Sequence, residues 1–345
     1  MNNKKLLFMG TPEIATEYLN ALIQNNIEVS AVITQPPKKQ SRGMKLIKSP
    51  VHSLALDKNL KVFHPQTFDN QIINILKKIQ PDLIIVMAYG KILPKVILEL
   101  PKHGCINIHV SILPRWRGAA PIEHTLINGD KETGVSIIKL VEKLDAGPII
   151  VQKRLRIPKN FNKLQLSENL TNIGTKLLID TIPLIFKDKI KLRNQDEKDA
   201  TYASKLNSES RKINFNNSMK DIINLIKAHA PQPGAWFFLN NERIKLIDAK
   251  QGTGTGKISS ILNNKFEIGC IDGSIEPLVL SSAVSAVSAP SNVTHIYVIQ
   301  GSITIDHKEY KSGSVVKVSE QQSIEVSSEE ARISWLTLNS LAGLL

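Results

Sequence analysis

Cysteine is nearly absent from this chain: of 345 residues only Cys105 and Cys270 are cysteines, far apart and in no Cys-x-x-Cys pairing. That pattern argues against a disulfide framework and against a cysteine zinc site. Aromatics are scarce at 5%, while 42% of the residues are hydrophobic. The core is therefore left to Ile, Leu and Val, which suits an α/β sheet buried on both faces. No apolar run approaches the length of a membrane-spanning helix. The short run after Lys4-Lys5 is too brief for a secretion signal. We expect a soluble, cytoplasmic protein. Gly10 is the lone glycine in the first turn, so the GxGxxG dinucleotide fingerprint is missing. Acids are missing from Gln35–Ser49, a stretch that holds Lys38, Lys39, Arg42, Lys45 and Lys48.

What is present is positive charge, a net of +13. Residues 281–345 hold four basic and six acidic side chains, so the rest of the chain carries +15. A basic body fits a polyanionic partner, nucleic acid first among them. A lysine-rich composition also follows from a genome rich in A and T, so local clusters weigh more than the total.

Along the chain, Lys5–Met9 reads as a buried strand. Thr11 fits a helix N-cap and Pro12 a first helical position, followed by helical spacing of Ile14, Tyr18, Leu19 and Leu22. Val29–Thr34 completes a βαβ opening, so a mostly parallel sheet is expected. Further strands are expected at Leu83–Met87, Cys105–Ile108, Val135–Leu140 and Ile149–Arg156. Helices are expected at Asp69–Ile79, Ile122–Ile127 and Leu164–Lys187. The polar segment Asn194–Lys198 reads as linker. A helix at Met219–Ala228 and short strands between turns over 207–280 suggest a small β-barrel. Gly252-Thr-Gly-Thr-Gly-Lys257 looks like a phosphate loop but has Gln251 at its first position and Ile258 after the lysine, so a turn between strands is expected. Ser281–Pro290 is an uncharged Ser/Ala linker. Short strands follow, at Val293–Ile299, Ser302–Ile305, Val315–Val318, Ile324–Val326 and Ile333–Leu338.

Chemistry concentrates in mid-chain. In Asn107-Ile108-His109 the two polar residues share one face of a strand end. Ser111-Ile-Leu-Pro114 is the turn just beyond it, where open parallel sheets bind ligands. Asp145 lies beside a small-residue turn after another strand. An amide, an imidazole and a carboxylate suit acyl transfer between nitrogens. Asn107 can donate to a developing oxyanion, and a His oriented by Asp145 can move the proton. An aminoacyl amine has a pKa at or below the roughly 7.7–8 of an α-amino group, so much of it is already neutral and orientation should matter more than a strong base. On spacing alone, strand-end and turn duties fit these residues better than catalysis does.

These residues and their flanks resemble the methionyl-tRNA formyltransferase family over roughly residues 4–280. The matching segments are Phe8-Met-Gly-Thr-Pro12, Thr34-Gln-Pro36, Ser49-Pro50, Ala88-Tyr-Gly90, Gly104–His109, Ser111-Ile-Leu-Pro-Arg-Trp-Arg-Gly-Ala-Ala-Pro121, Leu144-Asp-Ala-Gly147, Thr201-Tyr-Ala203 and Pro233-Gly-Ala-Trp236. The resemblance implies a Rossmann-like formyltransferase domain (1–190), a linker (191–206) and an OB-like β-barrel (207–280). Beyond them lie the Ser/Ala linker (281–291) and a β-rich extension (292–345).

It implies Asn107, His109 and Asp145 as the catalytic set. Ala88, Tyr89, Gly90, Ser111, Ile112, Leu113 and Pro114 would line a pocket for 10-formyltetrahydrofolate. The acceptor would be the methionine amine on initiator tRNA, with Lys38, Lys39, Arg42, Lys45 and Lys48 on the tRNA. Arg115–Pro121 favours the tRNA branch over small-amine acceptors such as a sugar nucleotide. From Glu276 the likeness ends, without the family's last basic segment. Gly301–Ile305 with Tyr310–Gly313 weakly resembles a cupin-like half-barrel. His295 and His307 stand without a ligand cluster, so no metal is expected.

Overall fold

The computed structural model of the chain describes residues 4–40, 45–239, 242–254, 261–262, 267–282, 293–300, 302–305, 308–311, 315–317, 324–326 and 332–337. Two compact units form. The first comprises Met1–Thr125, Asp130–Lys159 and Gln165–Lys205, and the second Leu126–Gly129, Asn160–Leu164 and Leu206–Leu345.

In the first unit the strands are β1 (Leu6–Gly10), β2 (Val29–Ile33), β3 (Lys38–Gln40), β4 (Lys45–Ile47), β5 (Val62–Phe63), β6 (Leu83–Met87), β7 (Cys105–His109), β8 (Arg117–Gly118), β9 (Glu132–Lys139), β10 (Ile149–Arg156) and β11 (Tyr202–Ala203). The helices along the same stretch are α1 (Glu13–Gln24), α2 (Pro50–Asp57), α3 (Asn70–Ile79), α4 (Lys95–Leu98), α5 (Pro121–Ile127) and α6 (Lys163–Phe186). Seven strands make one sheet in the order β10-β9-β7-β6-β1-β2-β5. Its β7-β6-β1-β2-β5 part is parallel, and β9 and β10 add an antiparallel hairpin at one edge. The order reverses between β1 and β6, because the chain lays β2 and β5 on one side before crossing to β6 and β7. Ligands in such sheets sit beyond the carboxyl ends of strands near this switch.

β1 and β6 are buried at every position. Their unbroken apolar runs are what a strand covered on both faces requires. Leu7, Met9, Ile33, Ile84 and Val86 pack with Ile72 and Leu76 of α3. Burial of each such side chain is worth about 1.5–3 kcal/mol. Asp69 caps α3 by accepting from Ile72 N at 3.0 Å, and Ser49 caps α2 by accepting from His52 N at 3.0 Å. The cap expected at Thr11 is not formed. Pro12 occupies the N-cap position of α1 with no side-chain bond, and the Thr11 hydroxyl instead donates to Tyr89 O at 2.9 Å. A partner across the sheet has displaced the local one.

In the second unit α7 (Met219–His229) precedes β12 (Ala235–Leu239), β13 (Glu242–Gln251), β14 (Ile261–Leu262), β15 (Glu267–Cys270) and β16 (Gly273–Ser282). These strands form an antiparallel sheet in the order β12-β13-β16-β15-β14. Ile222 and Ile226 of α7 pack with Phe215, Phe237, Leu246, Ile268 and Ile275. Ser281 and Ser282, read from sequence as linker, belong to β16 and pair with Lys245 and Ile244. Their small side chains carry no apolar alternation, so only the pairing reveals the strand. The rest of that Ser/Ala linker, residues 283–291, lies outside the described residues.

The Gly-rich turn after β13 is filled by the protein's own carboxylate. Glu267, fully buried, accepts from Thr253 N (3.0 Å), Gly254 N (2.7 Å), Thr253 Oγ1 (3.0 Å) and Ser274 Oγ (2.5 Å). These donors, Ser274 foremost, pull its pKa down to about 2. Beyond β16, β17 (Val293–Gln300), β20 (Val315–Lys317) and β22 (Arg332–Thr337) form one three-stranded antiparallel sheet. β18 (Ser302–Ile305), β19 (Lys308–Lys311) and β21 (Ile324–Val326) form another.

Candidate active site

A cavity of about 560 Å³ opens in the first unit at the carboxyl ends of β6 and β7. Met87–Leu93, Asn107–Val110, Gly118, Ala119, Leu140–Glu142, Leu144 and Asp145 contribute to its lining. Ala88, Tyr89 and Gly90 therefore lie where the sequence places a pocket. Thr11 Oγ1 and Gln35 Nε2 both donate to Tyr89 O at 2.9 Å, tying this loop to the ends of β1 and β2. Burial pushes the Tyr89 phenol up to about 12, so it stays a neutral hydroxyl.

Ser111–Pro114 is not among the residues lining that cavity. The turn is held against the antiparallel hairpin instead. Ser111 Oγ donates to Arg115 O at 2.6 Å, Ser136 Oγ to Ser111 O at 2.6 Å, and Gln152 Nε2 to Leu113 O at 2.9 Å. Leu113 is buried with Ile138 and Ile149.

Asn107, His109 and Asp145 converge. Alternation along β7 brings the first two to the cavity together. Asn107 Nδ2 lies 3.4 Å from Asp145 Oδ1, and His109 Nδ1 lies 3.7 Å from Asp145 Oδ2. His109 Nε2 is 2.8 Å from Trp116 O. A backbone carbonyl only accepts, so Nε2 carries a proton and Nδ1 faces the carboxylate. Asp145 Oδ2 also accepts from Gly118 N at 2.9 Å. Gly118 has φ +120°, and a Cβ there would meet Ala203 O at 2.6 Å, so only glycine lets this amide reach Asp145. At Gly147 a Cβ would fall 1.7 Å from Lys139 O, so glycine also lets the Asp145 loop close onto β9.

Three non-glycine residues here have left-handed backbones: Ala88 (φ 49°), Trp116 (φ 63°) and Asp145 (φ 47°). Such conformations persist only where the surroundings over-determine them, and they gather at functional sites. Sequence reasoning missed what holds the backbone of Asp145. Arg117, fully buried, donates Nε and Nη2 to Gln195 Oε1 at 3.0 and 2.9 Å, and Nη1 and Nη2 to Glu197 at 3.1 and 3.0 Å. Arg117, then Lys143, lowers the Glu197 carboxyl to about 2. Gln195 Nε2 donates to Asp145 O at 2.7 Å and Gly147 O at 2.8 Å. The polar stretch read as linker is thus a strap on the Asp145 loop. Its polarity was the visible signal, and it pointed equally to solvent.

Of the basic stretch, β3 and β4 form an antiparallel hairpin, and Lys38 and Lys48 are exposed. Lys39 and Lys45 lie on those strands, and Arg42 lies outside the described residues. Thr34 Oγ1 and Ser49 Oγ, 2.6 Å apart, close the base of the loop. No group of three or more His, Cys, Asp or Glu with metal-site geometry occurs among the described residues.

A formyl transferase family model matches residues 4–182, and a formyl transferase C-terminal domain model matches residues 205–291. The methionyl-tRNA formyltransferase of Pelagibacter ubique is 42% identical over 269 residues, which is 77% of this chain and 87% of that protein. That of Thermodesulfovibrio yellowstonii is 42% identical over 278 residues, 80% of this chain and 90% of its own length. Among solved structures, the N-formyltransferase from Helicobacter canadensis in complex with folinic acid and dTDP-3-aminofucose matches with a TM-score of 0.60 at 23% identity. That match covers 79% of this chain and 98% of that one, a likeness of fold. Residues 292–345 lie beyond both family models.

Proposed function

The chain belongs to the methionyl-tRNA formyltransferase family, and on that footing we propose how its site moves a formyl group from 10-formyltetrahydrofolate to the methionine amine of initiator tRNA. The observation that carries the reading is the convergence of Asn107, His109 and Asp145 in the lining of one cavity. The cavity's volume of about 560 Å³ fits a ligand of folate size, and Val86, Ile92, Leu93 and Leu140 give it the mainly apolar lining such ligands need. Ala88, Tyr89 and Gly90 contribute backbone to the folate side. Ser111–Pro114 is fixed to the β9–β10 hairpin through its bonds to Ser136 and Gln152.

The folate supplies a formyl carbon on a nitrogen that leaves. Asn107 directs an amide N–H at the formyl oxygen as negative charge develops there. One such donor is worth roughly 3–4 kcal/mol in favourable cases. His109, whose Nε2–H is held by Trp116 O, takes the proton of the attacking amine on its unprotonated Nδ1, beside Asp145, and passes it to the leaving nitrogen. Asp145 stabilises the imidazolium formed in passing. Left-handed turns at Trp116 and Asp145 pre-set these contacts, so little reorganisation accompanies the reaction.

The tRNA is held through Lys38, Lys39, Arg42, Lys45 and Lys48, whose phosphate contacts would make binding fall steeply with salt. The reaction belongs in the cytoplasm with initiator tRNA. No described helix is long and apolar enough to cross a membrane. The deciding experiment supplies the protein with 10-formyltetrahydrofolate and charged initiator tRNA. Formyl-methionyl-tRNA is the expected product, and its absence would overturn the assignment.

A further inference from the structure

Asp145 has an anchoring problem. Its carboxylate has one short bond, from Gly118 N at 2.9 Å, and its contacts to Asn107 and His109 are long at 3.4 and 3.7 Å. The aim of the carboxylate therefore depends on its backbone, which sits in the left-handed region at φ 47°. One side chain grips that backbone across the turn. Gln195 Nε2 spends its two protons on Asp145 O and Gly147 O, two residues apart. The orientation of this amide is dictated by its neighbours. Arg117 offers only donors and the two carbonyls only accept, so a flipped amide would set like against like on both sides.

The linkage closes on itself. Gly118, next to Arg117, donates to the Asp145 carboxylate, and Trp116, on the other side, accepts from His109. Arg117, Gln195, Asp145 and Gly118 thus form a ring of contacts. That ring fixes the Asp145 loop relative to the segment that orients His109.

We propose that Gln195 is a positioning residue for formyl transfer, setting the aim of Asp145 through two backbone carbonyls while buried Arg117 sets the direction of the Gln195 amide. This rests on the reading of Asp145 as part of the catalytic set. Side-chain misplacement of about 1 Å can cost on the order of 10²-fold in rate.

The test is Gln195→Glu. It keeps an acceptor for Arg117 but loses both N–H donors to the Asp145 loop. We expect a folded protein with kcat lowered on the order of 10²-fold, KM for both substrates near wild type, and a displaced pH profile of kcat. Asp145→Asn and the double variant complete a cycle. Once the carboxylate is gone its aim no longer matters, so Gln195→Glu should cost little further in that background. Unchanged kcat in Gln195→Glu, or a full additive loss in the double variant, overturns the proposal. Unchanged kcat in Asp145→Asn alone overturns the catalytic reading instead, so the two failures are distinguishable. If Gln195→Glu does not fold, the uncharged Gln195→Met goes through the same cycle with the same criteria.

Discussion

Among the described residues each unit buries a carboxylate beside a glycine-containing turn, Asp145 in the first and Glu267 in the second, and the two sit in opposite surroundings. Glu267 accepts four hydrogen bonds of 2.5–3.0 Å and is fully enclosed. Asp145 accepts one short bond, keeps two long contacts and faces a cavity. Burial of a carboxylate is therefore no mark of catalysis. The mark is valence left open towards a space that a ligand can enter. The saturated carboxylate works for the fold, and in the proposed mechanism the under-saturated one is left free to face the imidazolium of His109. The Gly252–Gly254 turn makes the same point from the other side: its amides do face an anion, but the chain supplies that anion itself.

This contrast can be broken by experiment. The largest effect is expected from Asn107→Ala. Turnover should fall by about 10²–10³ with the melting temperature nearly unchanged, because the Asn107 amide reaches Asp145 only across a long, weak hydrogen bond of 3.4 Å. A parallel fall in stability, or unchanged turnover in a steady-state assay, would dissolve the distinction between the two units.

Glu267→Gln should do the reverse, lowering the melting temperature by several degrees while folded protein keeps its kcat. Its pH dependence has a definite sign. The Glu267 pKa is shifted down to about 2, so the folded state gains at every pH above the ordinary carboxylate range. That gain is lost as pH falls through about 2. Acid unfolding followed by circular dichroism should show this component in the wild type and not in Glu267→Gln.

Arg42→Ala should be milder, leaving kcat alone. The slope of log affinity for tRNA against log salt should shrink by roughly 0.7–0.9 for the one phosphate contact removed. An unchanged slope would take Arg42 off the tRNA. The smallest effect is at Cys105, whose thiol burial pushes up to about 12. Iodoacetamide at pH 8 should leave it unmodified in the folded protein, and rapid labelling detected by mass spectrometry would show that this part of the core opens.

The legible parts of the chain share a local cause. β1 and β6 announce themselves as apolar runs, β7 by alternation, and α3 by helical spacing with Asp69 at its start. Asn107 and His109 could be placed on one face because a strand alternates with period two. Arg117 could not be read as a buried ring member, because its partners Gln195 and Glu197 lie 78 and 80 residues away. A polar stretch such as Asn194–Lys198 looks the same whether it meets solvent or a buried guanidinium. Thr11 likewise carries every sign of a cap, and only the approach of Tyr89 O redirected its hydroxyl.

The α/β architecture, the residue types available for formyl transfer and the charge of the Gln35–Ser49 stretch could all be read along the chain, because each follows from short-range pattern or ordered motif. The tertiary structure alone decided which carboxylate stays open and which is saturated, which residues clamp Asp145, and which nitrogen of His109 faces it. Those outcomes depend on donors and acceptors brought together from distant parts of the chain, and hydrogen-bond valence is counted in space, not along the backbone.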